Sequence, residues 1–140
     1  MIKNMVRAME ISVATKNEIG ALAHMMSFLV NHGINVETVA GYSNYTGNQG
    51  NLIFITDNNK EALTELISNG YDDIVENDVI VIELENKPGT LKNISEILAL
   101  NKININYIYC TTCSGGCPAK IVVSTSDNDR AWKVLASRGA

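Results

Sequence analysis

The chain repeats itself. Shifted by 69 positions and without a gap, the sequence sets Asn17 on Asn86, Gly20 on Gly89, Leu22 on Leu91, Leu29 on Leu98, Ile34 on Ile103 and Asn35 on Asn104. The register continues with Ala62 on Ala131, Leu66 on Leu135 and Gly70 on Gly139. A solenoid needs about three or more stacked repeats to bury its core, so two copies point instead to a pair of similar small domains. A length of 140 residues, 46% of them hydrophobic, suffices for two such units and excludes both a disordered tail and a large multidomain enzyme. The expected division is 1–77 and 78–140.

In the first copy Met9, Ile11 and Val13 alternate with Glu10, Ser12 and Ala14, the period of two of a strand with one buried face. After Lys16-Asn17-Glu18, the residues Leu22, Met25, Met26, Leu29 and Val30 recur at helical spacing and place one apolar stripe on a helix that Gly33 ends. Ile34 to Tyr42 reads as a second strand, Asn44 to Gly50 as a polar turn, and Leu52 to Ile55 as a third, largely buried strand. Asp57-Asn58 caps a second helix whose Leu63, Leu66 and Ile67 face inward, and Tyr71 to Glu76 supplies a fourth strand. The second copy reads as strand Val79 to Leu84, helix Pro88 to Leu100, strands Ile103 to Tyr109 and Ile121 to Thr125, and helix Asp127 to Ser137.

The fold class is therefore α+β: two tandem ferredoxin-like βαββαβ units with antiparallel sheets. The second copy reaches Ala140 before a full last strand can form. Its open sheet edge needs a cover, from Met1 to Met5 or from another chain.

Eleven Lys and Arg against fifteen Asp and Glu give a net charge of −4, and no basic block exists, so a phosphate-backbone partner is not expected. An RNA-binding domain of the same strand and helix order fails further, because its Arg/Lys-Gly-aromatic signature is missing from the third strand. Apolar runs such as Val79 to Ile82 are far shorter than the roughly 20 residues that span a bilayer, and the N-terminus lacks a signal-peptide core. A cytoplasmic location, with no membrane partner, is the expectation. Neither a Ser-His-Asp or Cys-His arrangement, nor a phosphate-binding Gly-rich loop, nor a spaced acid pair occurs, so no enzyme and no cofactor is expected.

Two loops carry the binding chemistry. In each copy the first strand runs through a short polar loop into a helix, as Lys16-Asn17-Glu18-Ile19-Gly20 and as Glu85-Asn86-Lys87-Pro88-Gly89-Thr90. A helix start offers unpaired N–H groups and partial positive charge suited to a carboxylate, and glycine lets a ligand approach the backbone. The plain alternative is a proline and glycine that only make the turn. Each copy then carries an Asn entering its second strand, in Gly33-Ile34-Asn35-Val36 and in Lys102-Ile103-Asn104-Ile105-Asn106. Leu91, Ile105 and Leu22 offer an apolar wall, or simply core.

Cys110, Cys113 and Cys117 lie together on the hairpin between the second and third strands of copy two. An odd, clustered set is a poor secreted disulfide framework, so they read as reduced thiols, with a soft metal site or a redox switch as the functional alternative. A fourth metal ligand would have to come from His24, His32 or another chain.

The order N-K-P-G-T-L, apolar helix, I-N-I-N-Y-I-Y, third strand, and a helix with Ala131 at its start resembles the ACT domain, a small regulatory module that binds amino acids. The likeness recurs in both copies and covers nearly the whole chain. It implies a stand-alone tandem ACT-domain protein, paired side by side as a homodimer, holding an amino acid between neighbouring domains. On that resemblance Asn86, Lys87, Pro88, Gly89, Thr90 and Leu91, with Asn104, Ile105 and Asn106, form one half-site. Asn17, Glu18, Ile19, Gly20 and Leu22, with Asn35, form the other. Copy one departs in having Ile19 where copy two has Pro88, and Glu18 near a ligand carboxylate. A role as regulatory subunit of a biosynthetic or acyl-activating enzyme, and a cysteine-based metal or redox sensor, are the alternatives.

Overall fold

The computed structural model describes residues 1–138. The repeat's elements appear as β1 (Ile2–Lys16), α1 (Ala21–Val30), β2 (Val36–Ser43), β3 (Gln49–Thr56), α2 (Asn59–Ser68), β4 (Ile74–Leu84), α3 (Thr90–Leu100), β5 (Ile105–Thr111), β6 (Ala119–Thr125) and α4 (Asn128–Arg138). Two compact units result: a first of Met9–Asn77, and a second of Met1–Ala8 with Asp78–Ala140.

In the first unit the strand order is β2-β3-β1-β4. Ile11 lies opposite Phe54 and Lys16 opposite Gln49, while Val39 pairs with Phe54 and Ser43 with Gly50, all antiparallel. The face that meets the helices buries Ile11, Val13 and Phe54 against Met25 and Leu29 of α1 and Ala62 and Leu66 of α2. These are the period-two and period-3.6 positions of the sequence, so burial of apolar surface sets both elements.

The second unit repeats this as β5-β6-β4-β1, with Ile80 opposite Val123 and Leu84 opposite Ala119. Ile80, Ile82, Leu84, Ile121 and Val123 pack on Ile94, Leu98, Ala131 and Leu135 of its two helices. Trp132 lies partly buried against the same core.

Two strands differ from expectation. The expected strands 71–76 and 79–84 are one continuous strand, β4, because nothing between Ile74 and Leu84 breaks the extended chain. The strand expected from Met9 begins already at Ile2. Its first half supplies the strand that the second copy lacks: Ile2 and Met5 pack on the second unit's core, and the Glu85 N–H donates to the Met1 carbonyl at 2.9 Å. Arg7 holds it in place, with Nη1 2.9 Å from Asp129 Oδ1 and a second ion pair to Asp78. Those two carboxylates, Asp78 first, raise the guanidinium pKa further.

One polar buttress appears twice at the repeat spacing. Asn59 Oδ1 accepts from the Thr56 N–H at 3.1 Å and from Thr56 Oγ1 at 2.7 Å, while its Nδ2 donates to the Met9 carbonyl at 2.8 Å. Asn128 does the same for Thr125, at 3.0 and 2.7 Å, and donates to the Asp78 carbonyl at 2.7 Å. Each asparagine thus fastens the third strand's end and a helix start to the first strand.

Candidate functional site

In both copies the strand-to-helix loop ends on a glycine N-cap in the left-handed region, Gly20 at φ 83° and Gly89 at φ 93°. Helix α3 therefore begins at Thr90 rather than at Pro88, since a residue with that φ lies outside the helix. No heavy atom lies within 4 Å of where a Cβ would stand at either position. Backbone conformation thus demands glycine there, independently of any ligand's approach. Gly20→Ala is expected to cost about 1–2 kcal/mol from left-handed strain alone. A denaturant melt of the first unit checks this, and an unchanged midpoint would mean that the helix start re-caps without the glycine.

The first unit's loop borders a cavity of about 420 Å³. Lys16, Asn17, Glu18, Gly20 and Leu22 line it from the loop and α1, Gly41, Tyr42 and Ser43 from β2, and Asn51 and Leu52 from β3. Gly41 packs closely on that wall: a Cβ there would stand 2.8 Å from Leu52 Cδ2, so any larger residue must displace the Leu52 side chain. Cys110 occupies the matching place in copy two. A second cavity, of about 340 Å³, shares Thr15, Glu18, Gly20 and Ala21 and adds Ile19, His24 and Tyr71. Burial pushes the Tyr71 phenol up, and the Glu18 carboxylate adds to the shift.

The loop is held from below by the hairpin between β2 and β3. Asn17 Nδ2 donates to the Gly47 carbonyl at 2.8 Å, and the Asn17 N–H to the Asn48 carbonyl at 3.2 Å. Asn17 is therefore a loop anchor that also borders the cavity.

Copy two secures its loop differently. Thr90 is buried, and its Oγ1 donates to the carbonyls of Glu85 and Lys87, both at 3.0 Å. The Lys87 ammonium sits 2.5 Å from Glu85 Oε2. Together with the Met1 ammonium, Lys87 draws the Glu85 carboxyl down to about 2.

Residues 80–137 match the family model described as the AHAS small subunit-like ACT domain. The chain contains an ACT domain. ACT domains are regulatory and not catalytic, and residues 80–137 are of that type. They generally bind small-molecule ligands and pair with catalytic subunits.

The fold of the whole chain is shared with solved structures. Protein BT0572 from Bacteroides thetaiotaomicron superposes with a TM-score of 0.87 at 24% identity, covering 98% of this chain and 92% of that one. The regulatory subunit of aspartate kinase from Thermus thermophilus gives 0.68 at 15% identity, with 97% of each chain covered. Its counterpart from Thermus flavus gives 0.67 at 16%, covering 96% of this chain and 94% of that one. No curated protein sequence matches the chain.

Against this ACT frame the expected site residues divide. Asn17, Glu18, Gly20 and Leu22 come together at the larger cavity, and Ile19, fully exposed, at the smaller one. Asn35 and Asn104 are strand-entry clasps: the Asn35 N–H donates to Asp57 Oδ1 at 2.9 Å, and the Asn104 N–H to Ser126 Oγ at 3.0 Å. Asn104 Nδ2 reaches Asn106 Oδ1 at 3.4 Å, and Ile105 packs on the second core. Asn35, Asn104, Ile105 and Asn106 line neither cavity described above. Gly41, Tyr42, Ser43 and Asn51 were missed. The pairing of Gly41 with Cys110 at the repeat spacing was the available signal.

The cysteines correct one expectation. Cys113 and Cys117, read as reduced thiols, form a disulfide, because the Ser114-Gly115-Gly116 turn brings their Cα atoms to 5.7 Å, a usual bridging distance. Cys110 is free and exposed. Among the described residues no group of three or more His, Cys, Asp or Glu side chains is placed to hold a metal ion. No helix of these residues is long and apolar enough to cross a membrane.

Proposed function

We propose that the protein is an amino-acid-responsive regulatory subunit whose ligand occupies the cavity beside Gly20 and Gly41. The observation that carries this reading is the cavity of about 420 Å³ on the strand-to-helix loop of an ACT-like unit. Its rim supplies an ammonium from Lys16, a carboxylate from Glu18 and amides from Asn17 and Asn51, the complement of a zwitterion, and Leu22 and Leu52 supply an apolar wall. The ligand carboxylate would meet the N–H groups at the start of α1, and its ammonium would meet Glu18. Strand β2 is the edge of its sheet and brings Tyr42 and Ser43 to the cavity. A second copy of the chain docking on that edge would close the pocket and make ligand binding favour the dimer. An enzyme as the eventual listener is supported by neighbours that span nearly this whole chain and are themselves regulatory subunits of aspartate kinase.

The test is a thermal-shift screen against the twenty amino acids, with the dimer fraction measured by light scattering. A true ligand at about 100 times its Kd adds roughly 2.7 kcal/mol and raises the melting temperature. Gly41→Val should abolish that response, because the new side chain and Leu52 compete for cavity volume. A response to none of the twenty, or one unaffected by Gly41→Val, would remove this cavity as the site.

A further inference from the structure

The two copies close the same hairpin with different chemistry at the same two positions. In the first unit the turn between β2 and β3 is clasped by Asn44 and Asn48. Asn44 Nδ2 donates to Asn48 Oδ1 at 3.0 Å, Thr46 Oγ1 lies 3.1 and 2.7 Å from the two side-chain oxygens, and the Gln49 N–H donates to Asn44 Oδ1 at 3.3 Å. Sixty-nine positions on, Asn44 and Asn48 become Cys113 and Cys117, and the hydrogen-bonded clasp becomes the disulfide. Thr46 and Gly47 become Gly115 and Gly116, so the copy-two turn has no counterpart of the Thr46 hydroxyl that bridges the first unit's clasp. The Cys117 N–H is itself directed at Cys113 Sγ, at 3.2 Å.

We propose that the β5–β6 hairpin is a thiol–disulfide exchange site whose redox state opens and closes the second unit's cavity. Cys113 is exposed on the turn, where a thiolate can reach it. Cys113 and Cys117 form part of the wall of a cavity of about 420 Å³. Thr111, Thr112 and Lys120 of that wall stand where Tyr42, Ser43 and Asn51 line the first unit's cavity. The chemistry needs a dithiol reductant. One of its thiolates attacks a hairpin sulfur, the S–S bond breaks, and the other cysteine leaves as a thiolate that takes up a proton. The reductant's second thiol then displaces the mixed disulfide, so two electrons and two protons reach the hairpin and the reductant leaves oxidised. Cys110 takes no part. Linking the exchange to ligand control rests on the proposed function, whereas the exchange itself does not.

The experiment equilibrates the full chain across ratios of reduced to oxidised dithiothreitol, traps thiols with a maleimide and weighs the protein. One reactive thiol at the oxidising end, mapped to Cys110, and three at the reducing end are expected. Amide exchange over residues 111–119 should then be on the order of ten-fold faster in the reduced protein, while residues 42–50 stay unchanged as an internal control. Cys110→Ser should behave like the parent, and Cys113→Ser should exchange like the reduced form under all conditions. Three free thiols at the oxidising end, a disulfide mapped through Cys110, or equal exchange over 111–119 in both states would overturn the proposal. Such a failure leaves the first unit's amino-acid response untouched, so the two readings fall separately.

Discussion

Removing Met1–Ala8 is expected to unfold the second unit while the first keeps its fold. That segment belongs to the same compact unit as Asp78–Ala140, and it carries Ile2 and Met5 onto a core made of β4, β6, α3 and α4. Half-burial of two such side chains contributes roughly 1–2 kcal/mol each, and every strand hydrogen bond lost adds about 1. The sum of about 4 kcal/mol or more is a large part of the roughly 5–15 kcal/mol that holds a domain together. The Arg7 ion pairs to Asp78 and Asp129 go with it. The measurement is direct, because the chain's single tryptophan, Trp132, packs on that core. Its emission should shift to the red in the truncated protein at room temperature. A truncated chain with native emission and an unchanged melt would show that the second unit stands without this strand.

Asn128→Ala and Asn59→Ala are expected to destabilise their units by about 2–3 kcal/mol each, and by similar amounts. Each removes an acceptor shared by a threonine N–H and hydroxyl and a donor to a first-strand carbonyl. Two partly buried hydrogen bonds and one exposed one, at about 1 kcal/mol each, account for the size. Asn128→Asp keeps the acceptor but loses the donor to Asp78, so its cost should lie below that of the alanine. Urea melts followed at Trp132 read the Asn128 pair, and hydrogen exchange over β3 and α2 reads Asn59. If either alanine costs less than about 0.5 kcal/mol, the buttress adds nothing beyond an ordinary surface contact.

Most of this architecture was legible in the sequence because burial wrote it there twice. Ile11 and Val13 alternate, Met25 and Leu29 sit one turn apart, and the same positions recur at Ile80, Ile82, Ile94 and Leu98. The first half of β1 was not legible as a strand. Its partly buried residues are Ile2, Met5 and Ala8, spaced three apart, so no period of two marks it; only the open edge of the second copy pointed to it. The loops before α1 and α3 were visible as loops, but their unequal surroundings were not. That asymmetry shows in the cavities, since the loop before α1 lines the first unit's cavity whereas the second unit's is lined by the β5–β6 hairpin, Glu83 and Lys120, and in Thr90, whose hydroxyl ties the second loop to itself. Three cysteines within eight residues look like one cluster, but the repeat spacing sets Cys113 and Cys117 on the hydrogen-bonded pair Asn44 and Asn48, and Cys110 on Gly41.

The shared first strand also fixes an order of events during synthesis. Residues 9–77 can complete a sheet and cover it with both helices as soon as they leave the ribosome. Met1–Ala8 emerges before all of them and must wait for partners as distant in sequence as Asp129. Contacts of such long separation close slowly. Until they close, the strand's own edge is an unsatisfied template for a neighbouring nascent chain. A polysome crowded with half-made copies is therefore the setting in which the polar Lys3, Asn4 and Arg7 of this segment matter most, as a guard against pairing with the wrong molecule.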